Sequence, residues 1–240
     1  AYNLTNEKSR LNISDAGSGK TISAVLASQA VNSKFTLVFC PHSVIDTWND
    51  AFGNAFPRIE KQIGSWEPKW STDQNKVLII NFDKLRADPK THNRIMEFAQ
   101  KNDIDFVIID EAHTVKQRGT TTTVTVNEDS KEDETISARR IELQTLLSEL
   151  RNKNQETRIY ALTASPALND LTEPISLLSL IDPKRDVSHI NFSSTISNGL
   201  KIHQELTLQS TRWKQREENK PFNICRRTIE IDTSDKLDDL

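Results

Sequence analysis

Eight consecutive residues, Ser14-Asp15-Ala16-Gly17-Ser18-Gly19-Lys20-Thr21, have the types and order of a phosphate-binding loop. Gly17 and Gly19 let the backbone turn its N–H groups toward phosphate oxygens with no Cβ in the way. The helix opened by Thr21 and Ile22 adds unpaired N–H groups and the positive end of a dipole. Lys20 is the residue to set an ammonium on the β- and γ-phosphates, and the Thr21 hydroxyl is a ligand for Mg²⁺. The general pattern begins with glycine where this chain has Ser14, a mild departure. The rival reading is a dinucleotide-binding turn. It needs glycine at position 22, where Ile22 stands.

A second group lies about 90 residues on. The apolar run Phe106-Val107-Ile108-Ile109 ends in Asp110-Glu111-Ala112-His113. A strand that ends in two carboxylates places them at the carboxyl edge of a parallel sheet, where ligands bind. Once the chain leaves the pleat, neighbouring side chains need not point apart. Asp110 can then face Mg²⁺, directly or through water, and Glu111 can face an attacking water as base or orienter. His113 is placed to sense the γ-phosphate. Alone, such a stretch reads as a solvated turn; the phosphate loop upstream gives it chemistry. The two groups together imply ATP and Mg²⁺ as ligands.

These groups need a scaffold. The chain has 240 residues, a formal net charge of −3, 35% hydrophobic residues and 27% charged ones. That length fits one large domain or two small ones. Short apolar runs at Leu11–Ser14, Phe35–Cys40, Val77–Ile80, Phe106–Ile109, Ile159–Leu162 and Thr228–Ile231 read as strands. Helical patterns lie between them: Ile22, Val25 and Leu26; Val44, Trp48, Phe52 and Phe56; Ile95 and Phe98 after Pro89; then Ile141–Leu150 and Leu171–Leu180. Strands alternating with helices predict an α/β fold, a parallel sheet with helices on both faces. No apolar run approaches the ~20 residues that span a bilayer. The opening AYNLTNEKSR has no apolar stretch, so no secretory signal is expected and an intracellular location, cytoplasmic or nucleoid/nuclear, is. The two cysteines, Cys40 and Cys225, argue against a disulfide scaffold or a cysteine zinc site.

Two segments depart from the alternation. Residues 119–135 read as a solvated acidic loop or hairpin, with five acids between Glu128 and Glu134 against Lys131. Residues 201–227 carry seven Lys and Arg against Glu205, Glu217 and Glu218, and Trp213 sits among them. They read as a solvated helix face or a contact to nucleic-acid phosphates.

In order, these motifs resemble the superfamily-two helicase and translocase ATPases, and within them the Swi/Snf-type translocases. Asp15–Thr21 looks like motif I. Cys40-Pro41-His42-Ser43-Val44-Ile45 with Trp48 looks like motif Ia, and Ile79–Leu85 is similar to the Ib region. Asp110–His113 is motif II. Leu162-Thr163-Ala164-Ser165-Pro166-Ala167-Leu168-Asn169 resembles motif III, and Leu171–Pro183 and Cys225-Arg226-Arg227 resemble the stretches downstream of motif III in that branch. The resemblance implies a RecA-like lobe of the P-loop NTPase type, the N-terminal motor lobe only. An adenine-reading glutamine is expected upstream, and a second RecA-like lobe bringing arginine fingers downstream. The division expected is an ATP-binding lobe over 1–190 and a helical basic segment over 191–240 leading to that second lobe.

Residue by residue, the resemblance implies that Ala16, Gly17, Ser18, Gly19 and Lys20 cradle the phosphates, Thr21 and Asp110 hold Mg²⁺, and Glu111 activates water. His113, Thr163 and Ser165 would couple nucleotide state to nucleic acid. Pro41, His42, Ser43, Asn81 and Phe82 would line a track for double-stranded DNA, held by its backbone. Ser43 also reads as a helix N-cap. The function implied is one lobe of an ATP-driven DNA translocase, with no membrane partner. The alternatives are a DEAH-type DNA or RNA helicase or restriction-type motor, a degenerate module that only binds nucleic acid, and a small-molecule kinase. Lys20, Thr21, Asp110 and Glu111 argue against the degenerate module, and the kinase leaves residues 110–113 and 162–169 unexplained.

Overall fold

A computed structural model of the chain describes residues 7–85, 89–115, 134–167, 172–184, 186, 190 and 196–214. The first half runs β1 (Ser9–Asn12), α1 (Lys20–Ala30), β2 (Phe35–Cys40), α2 (Ile45–Ala55), β3 (Glu60–Ile63), β4 (Lys76–Asn81) and α3 (Pro89–Lys101). Then come β5 (Phe106–Ile109), α4 (Glu134–Lys153), β6 (Arg158–Leu162), α5 (Thr172–Ile181), α6 (Ile196–Gln209) and β7 (Ser210–Thr211). The seven strands form one sheet in the order β3-β4-β2-β5-β6-β1-β7, and every pairing is parallel. All carboxyl ends therefore open on one edge, which is where α/β sheets bind ligands.

The strand period of two sorts the core. Leu37, Phe39, Leu78, Ile80, Val107 and Ile109 face one side with α3, α4, α5 and α6, represented by Phe98, Leu146, Leu178 and Ile202. Val38, Cys40, Ile79, Ile108 and Tyr160 face the other with α1 and α2, through Val25, Trp48 and Phe52. Helices thus cover both faces, as the alternating runs imply. The central strands are mostly apolar because both their faces are buried, and β5 is apolar at every position. Pro89 opens α3 at the first helical position, where its missing N–H costs nothing.

The structure departs from the expectations at several points. β1 lies two residues earlier than Leu11–Ser14, because Ile13 and Ser14 already lead into the loop. On α1, the spacing of Ile22, Val25 and Leu26 does not mark one buried stripe. Ile22 and Leu26 are exposed, and small residues (Ala24, Ala27, Ser28) join Val25 against the sheet. Polar β3 was not expected. The acidic loop ends sooner than position 135, since α4 begins at Glu134; residues 119–133 lie outside the described residues. The boundary at 190 is not an edge of the domain. α6 buries Ile202 in the larger core, and β7 pairs with Leu11 and Asn12 of β1. The remainder of the basic segment, with Arg226, Arg227 and the run Thr228–Ile231, lies outside the described residues.

Candidate active site

The phosphate loop joins β1 to α1. Gly17 and Gly19 have φ of 72° and 80°, and a Cβ at either would meet nothing within 4 Å. Glycine is thus required there by backbone conformation, not by crowding. The loop is braced from below. Asn12 accepts the Ser14 N–H on Oδ1 at 3.1 Å and donates Nδ2 to Tyr160 Oη at 2.9 Å. The Lys20 ammonium curls into the loop and donates to the carbonyls of Ser14 and Asp15, both at 3.0 Å. Ser18 Oγ is buried without a partner among the described residues, which a phosphate oxygen would supply.

Asp110 and Glu111 lie just past β5, two strands from β1. Asp110 is buried. Its Oδ2 accepts the Trp48 indole N–H at 2.8 Å and its Oδ1 accepts the Glu111 N–H at 2.9 Å. Burial pushes its carboxyl above the usual value, and the Glu111 charge adds to that. The Trp48 and Glu111 N–H groups and the Lys20 ammonium pull the other way. The loop after β1 and the Asp110–Glu111 turn after β5 leave the same carboxyl edge of the parallel sheet with β6 between them, which puts the two motifs on one edge. The same burial, with the Asp110 charge, raises the Cys40 thiol to about 12.

Glu111 has φ of 47°, a left-handed conformation uncommon outside glycine and typical of functional sites. The turn takes Glu111 out of the pleat, while the Asp110 N–H still donates to the Phe39 carbonyl of β2 at 2.8 Å. Glu111 Oε2 lies 3.2 Å from His113 Nδ1, and the same nitrogen is 3.1 Å from Thr163 Oγ1. Thr163 Oγ1 also accepts the Ser165 N–H at 3.1 Å. His113, Thr163 and Ser165 thus form one hydrogen-bonded line, with the Glu111 carboxylate in contact with its His113 end. Behind them, buried Arg140 of α4 donates to the Val115 carbonyl and to the Ser176 hydroxyl and carbonyl of α5.

The donors suit Mg²⁺. Among the described residues no cluster of three His, Cys, Asp or Glu side chains forms an all-protein cage. One carboxylate, Asp110, and one hydroxyl, Thr21, are what Mg²⁺ needs when phosphates and water complete its shell.

The expected track is assembled in part. β2 and β4 pair with Cys40 opposite Asn81, so residues 41–43 and Asn81 leave the same edge side by side. His42 and Ser43 are exposed. Phe82 is not available: its ring is buried and stacks on Phe39 at 6.3 Å. Ser43 makes no capping bond, because residues 42–44 form a 3₁₀ turn and Val44 takes the cap position of α2. Beside Asn81, a cleft of about 660 Å³ is lined by Trp66, Lys84 and Arg94. Trp48 is the residue whose part in the site went unread. A buried indole N–H needs an acceptor, but nothing in the sequence says that Asp110 supplies it.

Residues 3–168 match the family described as type III restriction enzyme, res subunit. Among solved structures, the fold resembles the Sulfolobus solfataricus SWI2/SNF2 ATPase core in complex with dsDNA, with a TM-score of 0.59 and 18% identity over 90% of this chain and 42% of that one. It also resembles the Sulfolobus solfataricus SWI2/SNF2 ATPase core domain, with a TM-score of 0.54 and 18% identity over 92% of this chain and 41% of that one. The chain thus spans about two-fifths of the length of these structures. No curated protein matches it.

Proposed function

The chain belongs to the family of the type III restriction enzyme res subunit, a family of helicase-like ATPases with this RecA-like fold, and we propose that it is the nucleotide-binding lobe of an ATP-driven motor on double-stranded DNA. The observation that carries this reading is that the Gly17–Thr21 loop, with the Lys20 ammonium folded into it, and the Asp110–Glu111 turn leave the same carboxyl edge of one parallel sheet, with Glu111 in a left-handed conformation. In the proposed site, loop N–H groups and Lys20 bind the β- and γ-phosphates. Thr21 and Asp110 hold Mg²⁺, which when bound neutralises phosphate charge. Glu111 takes the proton of the attacking water, and its contact with His113 carries the state of the γ-phosphate toward Thr163 and Ser165. The exposed His42 and the Ser43 hydroxyl, with Asn81, contact DNA phosphates. The dsDNA in one similar structure belongs to that protein; it supports duplex as the first substrate to try here.

Two variants test the site. Lys20→Ala removes the ammonium of the loop and should abolish tight ATP binding by calorimetry. Glu111→Gln keeps the side chain's shape but cannot take up a proton, so ATP still binds while turnover is lost. Unchanged binding in the first variant, or unchanged steady-state hydrolysis in the second, contradicts the assignment.

A further inference from the structure

The sheet order gives a bound nucleotide a direction. Asp110 and Glu111 follow β5, which lies on one side of β1, and β7 flanks β1 on the other. A triphosphate whose γ-phosphate faces Asp110 and Glu111 runs its nucleoside end away from β5, toward β7. Just past the carboxyl end of β7 stands Trp213. Its backbone is fastened to the phosphate loop: the Asp15 N–H donates to the Trp213 carbonyl at 3.1 Å, and the Trp213 N–H donates to Ser14 Oγ at 2.8 Å. One step earlier, the Ile13 N–H donates to the Thr211 carbonyl at 2.9 Å. The core does not use Trp213. It is 52% exposed, whereas Trp48 is fully buried and Trp66 and Trp70 pack against the larger core.

These contacts also account for Ser14, the position where the loop departs from glycine. Glycine has no hydroxyl to accept the Trp213 N–H. The departure therefore has a structural use: it ties the backbone of an exposed aromatic residue to the loop.

We propose that Trp213 is the platform on which the purine base of the nucleotide stacks. This rests on the reading of Gly17–Thr21 as the phosphate site. Stacking needs only a flat ring held in place, and the tie to Ser14 and Asp15 supplies the holding. The base is recognised by its π-face, so adenine and guanine nucleotides should both gain from it.

Calorimetric titration of the 240-residue chain with ATP and with inorganic tripolyphosphate separates base from phosphate. Trp213→Ala should weaken ATP roughly ten-fold, the weight of one base on one aromatic ring, and leave tripolyphosphate unchanged. Trp213→Phe keeps a ring and should bind ATP close to wild type. It also serves where the alanine variant fails to fold: the change in tryptophan emission that ATP causes and tripolyphosphate does not should vanish in it. Wild-type ATP affinity in Trp213→Ala, equal loss of both ligands, or a base-dependent emission change that survives in Trp213→Phe overturns the proposal. Lys20→Ala is the control. If it leaves tripolyphosphate binding intact, the phosphate site itself has been misplaced. If it abolishes that binding while Trp213→Ala changes nothing, only the platform is wrong.

Discussion

The chemistry proposed for the site rests on a few side chains held by others. Lys20, Thr21, Asp110 and Glu111 stand out as candidates because their residue types and their order along the chain are themselves the signal. Their support was not legible. Trp48 reads as a core residue of an amphipathic helix, and it is one, but its indole N–H also holds Asp110 across 62 positions of sequence. Only the fold brings the two together. Trp48→Phe keeps most of the ring and removes this one donor. A hydrogen bond to a charged group contributes roughly 1.5–3 kcal/mol, so Asp110 becomes a poorer anion in a buried place. We expect the variant to need on the order of ten-fold more Mg²⁺ for half-maximal ATP turnover, while nucleotide binding in EDTA stays as it was. A purely structural role for Trp48 predicts a lower melting temperature with no change in Mg²⁺ demand.

At the level of elements, hydrophobicity decided what could be read. β2 and β5 fall on the expected residues because buried parallel strands are nearly continuous apolar runs. β3 escaped because Glu60-Lys61-Gln62-Ile63 has only one apolar residue. It is an edge strand fastened by a carboxylate instead. Glu60 accepts the N–H and hydroxyl of both Ser71 and Thr72, at 2.6 to 3.0 Å. These four donors favour the charged form and lower Glu60 to about 2 from 4.5. A depressed carboxylate stabilises the fold fully above its unfolded value. That contribution fades as pH falls from about 4.5 toward 2. Glu60→Gln should therefore flatten the acid limb of a melting-temperature profile between those values. If wild type and variant lose stability in parallel over that range, the carboxylate does not fasten β3.

For the whole molecule, the lobe was legible as an α/β unit but its limit was not. A strand of two residues, Ser210–Thr211, has no periodicity to detect, yet it completes the sheet beside the phosphate loop. The resemblance implies that transition-state arginines come from a second lobe, and a residue of that kind contributes roughly 10³–10⁵ in rate. The 240 residues alone should therefore hydrolyse ATP slowly and respond little to duplex DNA. Joined to a second lobe, they should gain DNA-stimulated turnover in a steady-state phosphate-release assay. Fast DNA-dependent hydrolysis by the lobe alone contradicts the two-lobe reading. Cys40 offers a way to watch the molecule open. Its thiol is fully buried at the end of β2, and burial pushes it well above the ordinary thiol value, so alkylating reagents cannot touch it while the sheet stays closed. Each modification at Cys40 records an excursion of the active-site edge, much as amide exchange does. Mass spectrometry of pulse-alkylated protein should show Cys40 labelling slow as ATP is added, because a ligand that binds only the closed form suppresses those excursions.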